Sequence, residues 1–254
     1  MTPNYKRKYD IFICGGSEHF GMLRELLPRL YPFGAINLAS VTLSDSELEK
    51  LSPYVDAIHK PLHDPRGYLN FNLFCIRDIN RLAKAPFFIK LDADVELRDG
   101  WIDYVERGIA AHGDAVLFGV KEGIARINIR LSGPLVQERL GRDVLVEDGR
   151  KVIGGFYVAS TPFFKRHDRF MQTVHEFLYL GEGGAPGAFE LEGDYHDLRR
   201  IGNEDTLRSL VVHALGAGDR MFVLDSEGMI FVPHGPGLDR RGGRRLRGRR
   251  ADER

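Results

Sequence analysis

Two carboxylates one residue apart, Asp92 and Asp94, follow the run Phe87-Phe88-Ile89-Lys90-Leu91. A short β-branched and aromatic run that ends abruptly in charge reads as a buried strand emptying into a loop. In open α/β sheets, ligands bind outside the carboxyl ends of the strands. Two acids held together there repel one another and resist desolvation unless a cation lies between them. Hard divalent ions such as Mn²⁺ or Mg²⁺ take oxygen ligands and keep coordination places for water and phosphate oxygens. The expectation is a metal that joins Asp92 and Asp94 to a diphosphate. A bare Asp-x-Asp recurs by chance as a solvated turn. The strand before this one, and Gly100-Trp101 behind it, set it apart. Lys90 shares a strand face with Asp92, where it would pair with a phosphate or neutralise the acids.

A second acidic pair, Glu204-Asp205, opens a patterned helix expected over Asn203 to Leu215, with Leu207, Leu210, Val211, Ala214 and Leu215 on one face. Adjacent helical residues point about 100° apart, so the two acids cannot do one identical job. Asn203 is also a good helix cap, and acids in a first turn favour the macrodipole by about 0.3–1 kcal/mol each. A structural role therefore stands beside a catalytic one.

These residues need elements to hold them. Tyr9 to Cys14 reads as a buried strand that breaks at Gly15-Gly16, with Ser17 capping a helix whose apolar face is Met22, Leu23, Leu26, Leu27 and Leu30. Strands are expected at Ala35 to Leu43, Val55 to His59, Phe87 to Leu91 and Ala115 to Val120. Helices are expected at Ser44 to Leu51, Tyr68 to Lys84 and Trp101 to Ala111. Alternating strands and helices demand crossover connections and a mostly parallel sheet. The second half is less regular. Asp143 to Glu147 and Lys151 to Ala159 read as a hairpin about Asp148-Gly149, followed by a helix from Thr161 to Leu180. Residues 181–202 read as a long loop, and short strands at Met221 to Leu224 and Met229 to Val232 close the fold.

Length allows one or two domains. The expectation is a single domain over 1–237, in two halves over about 1–120 and about 121–237. Residues 238–254 hold eight Arg against three acids and read as a disordered basic tail on a mildly acidic body. Zero net charge gives no support for a nucleic-acid partner. No apolar run is long enough for an integral membrane segment, and the polar start lacks a signal-peptide core. Two cysteines, Cys14 and Cys75, are too few for a disulfide framework, so a cytoplasmic location is expected.

Leu91-Asp92-Ala93-Asp94 followed by Asp99-Gly100-Trp101 resembles the D-x-D region of nucleotide-sugar glycosyltransferases of the GT-A fold, closest to the large inverting family. Val152-Ile153-Gly154-Gly155-Phe156 resembles that family's Gly-Gly acceptor-side strand. Gly202-Asn203-Glu204-Asp205 resembles its E-D motif, in the right order. The likeness spans about residues 9–235. It implies a Rossmann-like α/β fold with a mixed, mostly parallel sheet flanked by helices and a smaller antiparallel acceptor-side part. It also implies Mn²⁺ or Mg²⁺ as cofactor, with Asp94 the direct ligand, Asp92 on ribose or metal, and His234 a late ligand. The bland reading of His234 is an exposed histidine on a terminal turn. The donor nucleotide would lie against Cys14, Gly15, Gly16, Ser17, Asp45, Arg77, Lys90, Asp92, Ala93, Gly154 and Gly155. Asp205 would be the general base and Glu204 would orient the acceptor. The acidic run usual after the second strand is reduced here to Leu43-Ser44-Asp45-Ser46, which leaves the base open among uracil, guanine and thymine. The implied reaction is transfer of a sugar from a nucleotide diphosphate-sugar, UDP first, to the hydroxyl of a small molecule or glycan, with inversion.

Two rivals remain. One is a sugar-nucleotide-forming nucleotidyltransferase, which would want a G-x-G-T-R-like loop that Cys14 to His19 does not spell. The other is a non-catalytic nucleotide- or carbohydrate-binding protein. Dinucleotide, P-loop and G-x-S-x-G readings lack their motifs.

Overall fold

Tyr9–Cys14 forms strand β1, buried along its whole length, an apolar run broken only by Asp10, whose Oδ2 accepts from the Lys84 and Ala85 N–H groups. It runs parallel to β2 (Gly34–Ala39) on one side and to β4 (Phe87–Asp92) on the other. β3 (Ala57–His59) extends the sheet beyond β2. On the far side, β9 (Phe156–Ser160) is inserted antiparallel between β4 and β6 (Leu117–Val120), and β11 (Met221–Leu224) closes the edge parallel to β6. The order is β11-β6-β9-β4-β1-β2-β3. This is the mixed, mostly parallel α/β sheet expected from the alternation of elements. The structure, a computed structural model, describes residues 7–61, 74–120, 124–152, 155–177, 190–193, 204–224 and 228–232.

Period-two alternation sends side chains to two cores. Ile11, Ile13, Ile89, Leu91, Phe156 and Val158 face one side, with α1 (Phe20–Leu30) and α4 (Trp101–Ala111) over them. α2 (Asp45–Leu51) follows β2 and packs on α1. Phe12, Phe88 and Tyr157 face the other side. Their core is shared with a π turn at Phe74–Asp78 that leads into α3 (Ile79–Leu82), with a three-stranded antiparallel sheet, and with the helices of the second half. That sheet is ordered β10 (Glu190–Gly193), β7 (Ile124–Ser132), β8 (Val144–Val152). The remaining helices are α5 (Pro134–Leu140), α6 (Thr161–Arg166), α7 (Asp168–His175) and α8 (Glu204–Ala214). A last ribbon pairs β5 (Glu96–Leu97) with β12 (Ile230–Phe231).

Several expectations are corrected. Asp148-Gly149 is not a hairpin turn. β8 runs through it, and the register steps from Ile127↔Gly149 to Ile129↔Val146, a bulge with one extra residue on β8. Glycine is needed there for close approach: a Cβ at Gly149 would stand 2.4 Å from Val146 Cγ1 and 2.9 Å from His213 Nε2. The expected strand from Lys151 to Ala159 is thus divided between β8 and β9. Inside the expected 181–202 loop, Glu190–Gly193 is a strand paired with β7, and the rest of that span lies outside the described residues. The helix expected over Thr161 to Leu180 breaks at His167, and Asp168 just beyond accepts from Asn80 Nδ2 at 2.8 Å. Ser17 does not cap α1. It lies in an exposed 3₁₀ turn, Ser17–His19, ahead of the helix. Of the helix expected over Tyr68 to Lys84, residues 74–82 are helical and 68–73 lie outside the described residues.

Candidate active site

The ends of β1 and β4 are locked in register, Cys14 opposite Asp92. Beyond them the backbones stay joined. Ala93 N–H donates to the Cys14 carbonyl at 3.1 Å, Gly15 N–H to Ala39 at 3.1 Å, and Asp92 N–H to Gly155 at 2.9 Å. A Cβ on Gly15 would meet Ala93 Cβ at 2.8 Å, and one on Gly155 would meet Val232 Cγ1 at 2.2 Å. These glycines let three chain segments converge at the sheet's carboxyl rim. Cys14, Gly15, Lys90, Asp92, Ala93 and Gly155, all expected at the site, are brought together.

Lys90 and Asp92 project from the same face of β4. Lys90 is buried and its Nζ donates to Asp92 Oδ1 at 2.7 Å, while the Asp92 side chain stays 30% exposed. The lysine thus holds one oxygen of the carboxylate and leaves the group open to the rim. Asp94 sits half-buried in the turn that follows. Gly100 closes that loop in the left-handed region, φ +85°, which a side chain would strain. Trp101 behind it is buried edge-on against Phe33 and Phe156, so α4 anchors the loop from below.

Other expected residues are placed differently. Ser17 N–H donates to Thr42 Oγ1 at 2.9 Å, and a Cβ at Gly16 would fall 2.4 Å from that same oxygen. Asp45 is exposed in the first turn of α2. That helix is capped by Ser44, whose Oγ accepts from Glu47 N–H while Ser44 N–H donates to Glu47 Oε2 at 2.8 Å. The hydrogen bonds from Ser44 hold the Glu47 carboxyl below its usual range. Arg77 is half-buried in the π turn, and its Nε has no hydrogen-bond partner among the described residues. Gly154, His234 and the Glu204 side chain lie outside the described residues. The chain reaches Val232, two residues before His234, packed on Gly155.

α8 is buried on every side from Asp205 to Val212, not on one face as its pattern implied, because it packs on β7, β8 and α7. Asp205 is 2% exposed, and its Oδ1 accepts from Thr206 N–H at 2.6 Å. Ser209 Oγ donates to the Asp205 carbonyl and accepts from Val152 N–H, which ties the start of α8 to the end of β8.

One turn along, Arg208 is wholly buried. It donates to Tyr157 Oη at 2.9 Å, Asn80 Oδ1 at 2.9 Å and the Cys75 carbonyl at 2.7 Å. Its guanidinium lies over the rings of Phe88, Tyr157 and Phe164. Tyr157 is the strand partner of Lys90, whose ammonium stands 5.9 Å from that ring. A continuous buried path therefore joins Asp92, Lys90, Tyr157, Arg208 and the helix that carries Asp205. Sequence reasoning missed Tyr157, Asn80, Asp168 and Arg208. An arginine in a helix reads as its solvent face, and no local pattern marks the exception.

The sequence matches no family profile and no curated protein. Solved structures resemble the fold. Mouse xyloside xylosyltransferase 1 is 10% identical over 85% of each chain, with a TM-score of 0.47. The glycosyltransferase GlyE of Streptococcus pneumoniae is 11% identical over 87% of this chain and 46% of its own, with a TM-score of 0.48. A 4-diphosphocytidyl-2C-methyl-D-erythritol synthase is 11% identical over 91% of this chain and 95% of its own, with a TM-score of 0.45. No helix among the described residues is long and apolar enough to cross a membrane.

Proposed function

We propose that the chain is a metal-dependent glycosyltransferase. It would move a sugar from a nucleotide diphosphate-sugar, UDP foremost, to an acceptor hydroxyl with inversion at the anomeric carbon. The observation that carries this reading is the rim itself, with Asp92 at a parallel strand end, steadied by a buried lysine, and Asp94 one residue beyond. Carboxylate oxygens from one turn are the donor chemistry of a hard divalent ion. Among the described residues no group of three His, Cys, Asp or Glu completes a closed metal site. Asp92 and Asp94 would hold the ion, His234 would add a ligand, and places would remain for phosphate oxygens. Mn²⁺ or Mg²⁺ bound there supplies charge to balance the diphosphate and stabilise the departing nucleotide.

The chain's own residues supply the rest. Lys90 orients Asp92 through its hydrogen bond to Oδ1. The Cys14 to Ser17 backbone would receive the base or ribose, with Asp45 and Arg77 flanking it and Ala93, Gly154 and Gly155 lining the rim. Asp205 would take the proton from the attacking hydroxyl as general base. Glu204 would orient the acceptor. The acid-rich span 181–202, with Glu190, Glu192, Asp194, His196 and Asp197, suits a small cationic or polyhydroxylated acceptor such as an aminocyclitol.

Thermal stability measured against UDP-, GDP- and TDP-sugars, with and without Mn²⁺, tests the donor half. A rise in Tm that needs both metal and one nucleotide supports the reading, since ligands that bind only the folded state stabilise it. No metal-dependent rise with any of the three overturns it.

A further inference from the structure

The chain has two cysteines, and the fold brings them together across 61 positions of sequence. Cys14 is the last residue of β1 and Cys75 lies in the π turn at Phe74–Asp78, with their sulfurs 3.7 Å apart. Both backbones are anchored. The Cys14 carbonyl accepts from Ala93 N–H, and the Cys75 carbonyl accepts from the buried Arg208. The sulfurs therefore face one another as a property of the native state. A disulfide needs a separation of about 2.05 Å, so roughly 1.6 Å of closure would suffice. We propose that Cys14 and Cys75 form a dithiol site that a peroxide oxidises to an intramolecular disulfide, fastening the rim of the sheet to the π turn.

Cys14 is 7% exposed at the rim and Cys75 is 1% exposed beneath it, so Cys14 is the sulfur a small peroxide meets first. Its thiolate attacks one peroxide oxygen and the O–O bond breaks. The departing hydroxide takes a proton to become water, leaving a sulfenic acid on Cys14. The Cys75 thiolate then attacks the Cys14 sulfur and the S–O bond breaks, releasing a second hydroxide that is protonated to water. Two thiols and one peroxide give one disulfide and two waters. Cys75 serves as the resolving thiol because it is already in place.

The site is independent of the glycosyl-transfer reading, and its test needs no turnover. Folded full-length protein is treated with hydrogen peroxide, and its mass and free thiols are read under denaturing conditions. The expected result is a loss of about 2 Da for the two thiol hydrogens, both thiols gone, and full reversal by dithiothreitol. Cys14→Ser should abolish the change. Cys75→Ser should leave a sulfenic acid on Cys14 that dimedone captures. The proposal is overturned if both thiols of the wild type survive peroxide, if the bond forms between chains, or if Cys14 proceeds to sulfinic acid with Cys75 still free.

Discussion

The rim at the ends of β1 and β4 and the buried helix α8 hold the two acidic motifs by different means. At the rim, Asp92 is placed by strand register, by its own N–H donating to the Gly155 carbonyl and by Ala93 N–H donating to the Cys14 carbonyl, and one lysine two residues away steadies its carboxylate. At α8, Asp205 sits on a helix fixed by side chains reaching far along the sequence. Arg208 bonds Tyr157, 51 positions away, and Asn80, 128 positions away. The rim is therefore a product of strand register, backbone hydrogen bonds and close glycine contacts. The α8 end depends on a desolvated polar network, where a lost hydrogen bond costs more than it would in water. Loss of a rim carboxylate should remove function with the fold intact, whereas loss of a member of the Arg208 network should reach stability as well.

The sharpest break in that contrast is chemical. Asp205→Asn and Asp94→Ala should each lower transfer by about 10²–10⁴-fold while far-UV circular dichroism and Tm stay near wild type. Full activity in Asp205→Asn would remove it as the base. Next is Arg208→Ala, which removes the hydrogen bonds to Tyr157 Oη, Asn80 Oδ1 and the Cys75 carbonyl and opens a cavity. It should cost about 3–5 kcal/mol in urea unfolding. Arg208→Met, of similar volume, should cost clearly less, because exchanging a buried charge for an apolar side chain offsets part of the loss. Equal losses would mean that the hydrogen bonds lost in both variants, and not the filled volume, set the cost.

Gly155→Ala sharpens the rim side. Its new methyl meets Val232 Cγ1, so about 1–3 kcal/mol of stability should go, and Val232→Ala in the same chain should restore part of it in a double-mutant cycle. Ser44→Ala, remote from both regions, should cost only about 0.5–2 kcal/mol through the lost cap of α2.

The smallest effect is pH-dependent. His59 Nε2 donates to Asn37 Oδ1 at 3.1 Å, and the ring packs on Phe74. Burial lowers its pKa, with Asp78 opposing. A lowered native pKa means that the unfolded chain binds the proton more readily. The contribution is complete above the unfolded value of about 6.5 and is lost as pH falls through the native one. His59→Gln should flatten, without abolishing, the fall in stability below about pH 6.5, because His167 is lowered in the same sense by burial, Arg166 and Arg142. An unchanged slope would show that the ring does not titrate with folding.

The sequence by itself determined the strands that build the rim. Tyr9 to Cys14 and Phe87 to Leu91 are apolar runs broken only by Asp10 and Lys90, the pattern of a strand buried on both faces, and their charged or glycine ends mark where the sheet stops. It also determined the helix over Ser44 to Leu51 and the spacing that puts Lys90 and Asp92 on one face, because those depend on neighbours two to four residues away. Only the tertiary structure decided that Asp148-Gly149 is a bulge under His213, that Glu190–Gly193 is a strand, that α8 is buried all round and that Arg208 lies at its centre. It decided likewise that Cys14 and Cys75 meet. Each of these is set by a partner dozens of residues away, and a local pattern carries no information about which distant group will fill the space beside it.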